Sequence, residues 1–478
     1  MGGATGLPRF EVAARLRPVD LVCPGSVLVD DAAPGPASAH PTPHPAPYAA
    51  AEVELLASGT APGRDAPVRL ALASGDDELG ALWDPATGEV SLELRVGSTT
   101  SRHLSRRHGR PEQRPVRLGL TLTGVHLAVH THDGRAWTTR ARVDLGAERA
   151  ADRGGAGRVD TRDERWLAAL VTTRSGPVAR VRAGGFGQLG LRDLRLVTRA
   201  DGSAYRPGGD LLLTATSAGP GFFDTAHTSV WSLDPVTLSL THRSDLFFRR
   251  PDRPGAFGDH ATHLVRDGEH WLVATSTWGD FDRRRDDASV AVTLARPGGD
   301  VDLLAGRHLL DTEPLPLPVD GLRAAGVRSV GVWDPHLVRD GDDWLVGFVS
   351  ARRFFDFHPA LATGPALDAL TLRAVSARRR ATEGTTLLRV DGAWRVLVSD
   401  GRDGRRGQRQ QHAVLDLDLA EVGVLDAPYP TNIPWPTLVD LGEEGWLMVA
   451  FDGTPYAGPL PGYGTHGRVV VARSVAGT

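Results

Sequence analysis

A repeated hairpin pattern in the second half of the chain constrains the fold more than any other feature. In one copy an acidic residue, Asp334, precedes a short apolar run, an Asp-Gly pair at 340–341 and a second apolar run that begins with Trp344. An Asp-Gly pair readily adopts the positive φ angles that a tight turn between twisted strands requires. Similar arrangements follow Asp259, Glu383 and Asn432. Each copy is therefore predicted to be a β-hairpin whose first strand starts near the polar residue.

The spacing of these hairpins predicts a β-propeller. Asp334, Glu383 and Asn432 follow one another at intervals of 49 residues. A period near 50 built from short strands is typical of a propeller, in which each repeat forms one four-stranded blade. We expect five blades within residues 205–478, with an insertion near residues 297–330, where the spacing between the second and third units is longer. The predicted fold class is all-β.

The first 200 residues have a different pattern. Segments such as 89–96 and 116–122 alternate apolar and polar residues, which is typical of strands with one buried and one solvated face. A polar, turn-rich stretch at 201–209 marks the expected domain boundary. We therefore predict a β-sandwich (jelly roll) over residues 1–200 and a propeller over residues 205–478. The order of strands in the first domain resembles concanavalin-like and laminin-G-like jelly rolls.

Charge and composition exclude several classes of function. The chain of 478 residues has a formal net charge of −4, so no bulk positive field attracts nucleic acid or anionic membrane. No run reaches the roughly 18 apolar residues that a membrane helix needs. A single cysteine, Cys23, permits no intramolecular disulfide. With no secretory pattern at the N-terminus, we expect a cytoplasmic protein whose partner is a small-molecule or oligosaccharide substrate.

Three of the predicted inner strands start with an acid: Asp259, Asp334 and Glu383. Because the inner strands of a propeller start at one mouth of the central channel, these side chains are expected to converge. Cleavage of an acetal needs a proton for the leaving oxygen and a carboxylate on the other side of the oxocarbenium-like centre. A third carboxylate can adjust the pKa of the acid. The sequence therefore predicts a site for glycoside chemistry.

The order of these acids resembles that of glycoside hydrolase family 43. The resemblance rests on Asp259, on Asp334 before proline and on Glu383 before glycine, and it covers residues 205–478. It implies an arabinofuranosyl or xylosyl type of glycosidic bond as the target. It also implies Glu383 as general acid, Asp334 as the residue that adjusts its pKa, and Asp259 as the general base that activates water in an inverting reaction.

Two departures from the family keep other functions open. Thr385 follows Glu-Gly where the family commonly has proline, and the sandwich precedes the propeller instead of following it. One alternative is an intracellular tailoring enzyme that uses the same acids for cyclisation, elimination or rearrangement of a secondary metabolite. Another is a non-catalytic carbohydrate-binding protein.

Aromatic and basic residues near the inner-strand starts complete the predicted site. Flat rings can stack on a sugar or another flat ligand, and imidazoles can assist proton transfer. The residues predicted to bind substrate are His260, Trp278, Trp333, His336, Arg352, Trp435 and His466. The sequence has no tight metal-ligand spacing, so no catalytic metal or cofactor is predicted, and a structural calcium ion in the channel is left open.

Overall fold

The computed structural model describes residues 5–32, 35–56, 65–146, 159–285, 288–354, 356–462 and 466–475. Its strands form seven mainly antiparallel sheets, which confirms the predicted all-β class. Two six-stranded sheets share one hydrophobic core and form a β-sandwich, and five further sheets form a five-bladed propeller. In the described chain the helices are short, and none is long and apolar enough to cross a membrane.

The first strand of the chain belongs to the propeller. Strand β1 (Arg9–Leu16) pairs antiparallel with the last strand of the chain, Arg468–Val475. The N-terminus therefore supplies the outer strand of the fifth blade, and the chain enters the sandwich only afterwards. This pairing differs from the predicted sandwich over residues 1–200.

The sandwich is built from the next twelve strands and one short helix. One sheet has the order β11-β10-β9-β4-β13-β2 and the other the order β3-β12-β5-β6-β7-β8. Their bounds are β2 (Asp20–Asp31), β3 (Ala37–Pro41), β4 (Tyr48–Leu55), β5 (Val68–Ser74), β6 (Asp77–Asp84), β7 (Glu89–Val96), β8 (Thr99–His103), β9 (Arg117–Thr123), β10 (His126–His132), β11 (Trp137–Asp144), α1 (Glu164–Ala168), β12 (Val171–Ser175) and β13 (Val178–Gln188).

The chain returns to the propeller directly after the sandwich. Its first blade starts with β14 (Leu191–Leu196), a strand that the sequence analysis had placed at the end of the sandwich. The first two blades comprise β14, β15 (Thr198–Arg199), β16 (Leu211–Ser217), β17 (His227–Leu233), β18 (Leu240–Arg250), β19 (Arg253–Phe257), β20 (His260–Asp267), β21 (His270–Ser276), β22 (Val292–Ala295), β23 (Gly306–Asp311) and β24 (Glu313–Pro314). Strand β15 pairs in parallel with β20 in the second blade, and β23 pairs in parallel with β18 in the first.

The last three blades are regular four-stranded sheets. Short helix α2 (Val319–Ala324) precedes them, within the predicted insertion. Their strands are β25 (Gly331–Asp340), β26 (Asp343–Arg353), β27 (Asp356–Gly364), β28 (Thr371–Val375), β29 (Thr382–Val390), β30 (Ala393–Asp400), β31 (Gln411–Leu415), β32 (Glu421–Val424), β33 (Thr437–Asp440), β34 (Trp446–Asp452) and β35 (Arg468–Val475). The fifth blade has the order β1-β35-β34-β33.

The inner strands contact one another around the channel. Strand β20 packs on β25, β25 packs on β29, and β14 contacts both β20 and β33, so the first and last blades meet. A buried tryptophan follows the turn of three successive hairpins, and an arginine from the same hairpin covers its ring. The pairs are Arg266 on Trp271, Arg339 on Trp344 and Arg389 on Trp394, at 4.8 to 5.5 Å. These pairs pack the outer part of each hairpin and leave the strand starts to form the site.

The sandwich fixes one loop of the first blade. The hydroxyl of Tyr48 donates to the carbonyl of Ala226 at 2.8 Å, and His126 Nε2 lies 2.7 Å from Asp224 Oδ2. The guanidinium of Arg142 donates to the carbonyl of Pro220 at 3.3 Å. The loop at 218–226 is therefore held by the other domain, and it forms part of the rim of the channel.

We predict that β1 is needed to stabilise the propeller. Phe10 is buried in a core shared by the fourth and fifth blades, so Phe10→Ala is expected to lower the free energy of unfolding by about 3 kcal/mol or more. Val12 is 37% exposed, and Val12→Ala is expected to cost less than about 1 kcal/mol. Urea unfolding of both variants tests this, and equal small losses would contradict the closing role of β1.

Candidate active site

The same bulge occurs at the start of four inner strands. The pairing register shifts between Arg192 and Arg195, between His260 and His263, between Trp333 and His336, and between Glu383 and Thr386. Within each bulge one residue adopts a positive φ, and these residues are Asp193 (52°), Ala261 (58°), Asp334 (58°) and Gly384 (80°). Bulges of this kind re-aim side chains. Here they turn the strand starts towards the channel mouth.

Three largely buried carboxyl groups and the exposed Asp403 line one cavity at this mouth. The cavity has a volume of about 380 Å³, and its lining includes Asp193 from the first blade, Asp334 from the third and Glu383 from the fourth. All three side chains are largely removed from solvent. Because like charges in a desolvated site repel strongly, the three groups cannot all ionise freely near neutral pH.

The electrostatics of Asp334 and Glu383 reflect this crowding. Burial, then the negative charge of Asp193, raises the pKa of Glu383 to about 7. Burial and the neighbouring Glu383 hold the pKa of Asp334 well above its usual value. Trp333 Nε1 donates to Glu383 Oε1 at 3.2 Å, and Asp334 Oδ2 has no hydrogen-bond partner among the described residues. Glu383 therefore lies near the balance between acid and carboxylate at neutral pH.

A buried guanidinium lies beneath the carboxyl groups. Arg195 donates to the carbonyl of Asp334 at 3.0 Å and to the hydroxyl of Thr386 at 2.9 Å, and it covers the ring of Trp435 at 4.5 Å. Burial lowers its pKa to about 10, so it still carries its charge at neutral pH. Arg195 thus connects the first, third and fourth blades and is the central counter-charge of the site.

Asp193 is a carboxyl group of the cavity that the sequence did not predict. Nε of its neighbour Arg192 donates to both carboxylate oxygens, at 3.1 Å each. The predicted domain boundary at 201–209 places strand β14 in the sandwich, so the predicted propeller repeats do not include its acid. A usable signal was present, since Asp193 precedes Arg195 by two residues, as Asp334 precedes His336.

Asp259 does not lie in this cavity, which corrects its predicted place beside Asp334 and Glu383. Its carboxylate is fully buried and accepts two hydrogen bonds from Arg250, one of 2.8 Å to Oδ2 and a shorter one to Oδ1. The backbone N–H of Gly279 donates to Oδ1 at 3.0 Å. Asp259 precedes the bulge of its blade, and the bulge residue itself is Ala261. The prediction failed because Asp259 lies two residues before the bulge position of its blade, whereas Asp334 occupies that position in the next blade.

Four of the predicted binding residues line the cavity: His260, Trp278, Trp333 and Trp435. His260 Nε2 donates to the carbonyl of Phe223 at 3.1 Å, and burial lowers its pKa to about 4. This imidazole is therefore neutral near pH 7. Phe281 and Phe354 line the cavity as well.

The other three predicted binding residues lie outside the cavity lining. His336 stacks on His263 with ring centroids 4.1 Å apart and accepts a hydrogen bond from the N–H of Leu387 at 3.3 Å. His466 Nε2 donates to the carbonyl of Gly219 at 2.7 Å. Arg352 pairs with Asp356 at 2.8 Å. Each of these contacts is made with the protein itself, so the predicted contact with substrate is corrected for all three.

The described residues offer one group of side chains suited to a metal ion. Cys23, His242 and Asp245 place ligand atoms within 4.8 Å of one another, between the sandwich and the first blade. Asp245 already contacts His227, His242 and Arg307 there. The channel contains the nitrogen groups of Arg195, His263 and His336, whereas calcium prefers oxygen ligands. The structure thus supplies no reason to place calcium in the channel, and that ion remains only a prediction.

Comparisons with known proteins gave structural likenesses only. No protein-family model and no curated protein matches this chain. A GH43_1 enzyme from Xanthomonas citri, complexed with xylose, is 16% identical, with 59% of this chain and 88% of that chain covered and a TM-score of 0.39. A levansucrase variant from Bacillus subtilis is 10% identical, with 60% of this chain and 86% of that chain covered and a TM-score of 0.41. Galectin LEC-6 from Caenorhabditis elegans is 15% identical, with 33% of this chain and 96% of that chain covered and a TM-score of 0.23.

We predict that Asp259 and Asp193 differ in their effect on stability. Asp259→Asn removes the charge that pairs with buried Arg250 and is expected to lower the free energy of unfolding by about 3 kcal/mol. Asp193→Asn removes one of three crowded carboxylates and is expected to change the free energy of unfolding by less than about 1 kcal/mol. Urea unfolding at pH 7 measures both. A larger loss for Asp193→Asn would contradict the assignment of Asp259 to the scaffold.

Proposed function

We propose that this protein is a glycoside hydrolase in which Glu383 is the general acid, Asp193 the general base, and Asp334 the group that adjusts the acid. One observation carries the proposal: three largely buried carboxyl groups from three blades line one cavity, and the pKa of one of them is raised to about 7. A pair of acids in unlike environments is the arrangement that acetal cleavage requires.

The proposed reaction is a single displacement by water. Glu383 transfers its proton to the glycosidic oxygen as the bond from that oxygen to the anomeric carbon breaks. The oxygen of a water molecule bonds to the anomeric carbon, and the proton that this water loses goes to Asp193. One water is consumed, the sugar leaves with inverted configuration, and proton exchange with solvent restores both carboxyl groups.

The surroundings of each acid suit its proposed role. Glu383 is largely withdrawn from solvent and accepts a hydrogen bond from Trp333 Nε1, and it can hold a proton at neutral pH. Arg192 holds both oxygens of Asp193, which orients the carboxylate. Burial and the charge of Glu383 raise the pKa of Asp334, while the Arg195 guanidinium beside it limits the repulsion. An arabinofuranosyl or xylosyl group as the sugar is proposed from the family resemblance alone.

A second candidate is a tailoring enzyme that acts on a secondary metabolite with the same acids. The observation that favours it is the large number of aromatic rings in the cavity, among them Phe223, Trp278 and Phe281. A cyclisation or elimination would use Glu383 as acid and Asp193 as base without consuming water. Product analysis separates the two candidates, because only hydrolysis incorporates oxygen from labelled water.

We predict that the three cavity acids, and not Asp259, are required for turnover. On arabinofuranosides and xylosides, Asp193→Asn, Asp334→Asn and Glu383→Gln are each expected to lower kcat by about 10²-fold or more. The wild-type kcat/KM is expected to fall as pH rises through about 7, because Glu383 then loses its proton.

Asp259→Asn serves as the matched control, assayed at a temperature at which it is folded. It is expected to keep kcat within about tenfold of the wild type, since its carboxylate faces Arg250 and not the cavity. Loss of turnover in Asp259→Asn with retention in Asp193→Asn would reverse the assignment. Absence of hydrolysis of every glycoside by the wild type would refute the hydrolase proposal.

A further inference from the structure

One arc of the cavity is a continuous aromatic surface. Successive ring centroids lie 4.2 Å apart from Phe222 to Phe223, 4.6 Å from Phe223 to Trp278, 4.9 Å from Trp278 to Phe281 and 4.7 Å from Phe281 to Phe354. The Phe354 ring is nearly parallel to that of Trp333, at 7° and 6.3 Å. We call these six side chains the aromatic wall. They come from the first three blades.

The remaining arc differs in chemistry. The fourth and fifth blades contribute Arg402, Asp403, Thr431 and Asn432 to the lining, beside Glu383. The polar lining residues of the first three blades are Arg192, Asp193, His260, Arg283 and Asp334, and the Arg283 side chain is exposed. The fifth blade adds two aromatic rings to the lining, and a cation covers each of them. Arg195 lies over Trp435, and Arg192 lies over Phe451 at 5.1 Å. The cavity thus has an apolar side and a polar side. A ligand that fits it should have one apolar part and one polar part.

The aromatic wall offers few partners for sugar hydroxyls. His260 lies beside it, but its Nε2 already donates to the carbonyl of Phe223. Trp333 Nε1 already donates to Glu383. Hydroxyl groups pressed against this surface would lose water without gaining hydrogen bonds, at a net cost. A flat apolar group would instead gain from burial and from ring stacking.

The inner end of the wall reaches the proposed general acid. Trp333 belongs to the wall and also contacts Glu383 Oε1 at 3.2 Å. The group that departs with the oxygen protonated by Glu383 would therefore lie along the wall, while the sugar faces the polar arc. The wall is also preformed, because Tyr48, His126 and Arg142 of the sandwich hold the loop that carries Phe222 and Phe223.

From this arrangement we infer that the substrate is a glycoside with a flat, apolar aglycone, and that the aromatic wall is its subsite. The inference rests on the proposed hydrolase function and adds the chemical class of the leaving group. The sandwich then acts as the support of this subsite, through its hold on the loop at 218–226.

The test compares benzyl and methyl glycosides of arabinofuranose and xylose. Both aglycones leave as simple alcohols, so the comparison reports contact with the wall more than leaving-group acidity. The wild type is expected to show a kcat/KM ratio of benzyl to methyl on the order of 10 to 100. Phe222→Ala combined with Phe354→Ala is expected to reduce this ratio several-fold, because kcat/KM for the benzyl glycoside should fall more than kcat/KM for the methyl glycoside.

Tyr205→Ala is the matched control, because Tyr205 is a half-buried aromatic residue that packs on Trp271 outside the cavity. It should leave the ratio unchanged. Cleavage of both glycosides with a ratio near 1 would overturn the aglycone inference and leave the hydrolase proposal standing. Binding of 1-naphthol, measured by tryptophan fluorescence, without cleavage of any glycoside would overturn both, because the apolar group would not then be part of a glycoside substrate.

Discussion

Repulsion among three buried carboxyl groups is the constraint on which the rest of the site depends. Asp193, Asp334 and Glu383 share one cavity, and burial makes the charge of each more costly. At least one proton must therefore stay in the cluster near neutral pH. The raised pKa of Glu383 and of Asp334 follows from this constraint, and so does the need for a cation beneath them. Arg195 meets that need from the first blade.

Two features of the fold bring these groups together. One is strained backbone at the strand starts, and the other is the pairing of strands from the two ends of the chain. A positive φ in a non-glycine residue costs about 1 kcal/mol or more, and both Asp193 and Asp334 adopt one. In the fourth blade a glycine takes this place, because a side chain at 384 would strike the ring of Trp435. The pairing of β1 with β35 completes the fifth blade, and packing against the sandwich fixes the rim. The acids therefore depend on contacts far from the cavity.

The sequence predicted the features that repeat and missed those that do not. The 49-residue spacing located the third, fourth and fifth blades, and with them Asp334 and Glu383. In the first blade a long connection joins β14 to β16 in place of a tight turn, so Asp193 falls outside the repeated hairpin pattern. Asp259 looked equivalent to Asp334, yet a shift of two residues placed it against Arg250. The pairing of β1 with β35 joins the two ends of the chain, and no local sequence pattern indicates such a long-range contact.

The departure at Thr385 also has a physical reason. Its hydroxyl donates to the carbonyl of Phe348 at 3.1 Å and so ties the fourth blade to the third. The aromatic wall, by contrast, was only partly foreseen, because Phe222 and Phe223 reach the cavity on a loop whose position depends on the sandwich.

A titration of Glu383 tests the central claim most directly. Carboxyl-labelled glutamate in the intact protein, followed by NMR from pH 4 to 9, gives its pKa, and Glu383→Gln identifies the signal. We predict a pKa near 7 in the wild type, and a lower value in Asp193→Asn, because loss of that neighbouring charge favours the carboxylate. An ordinary pKa for Glu383, or one that Asp193→Asn leaves unchanged, would show that the three acids do not form one coupled site.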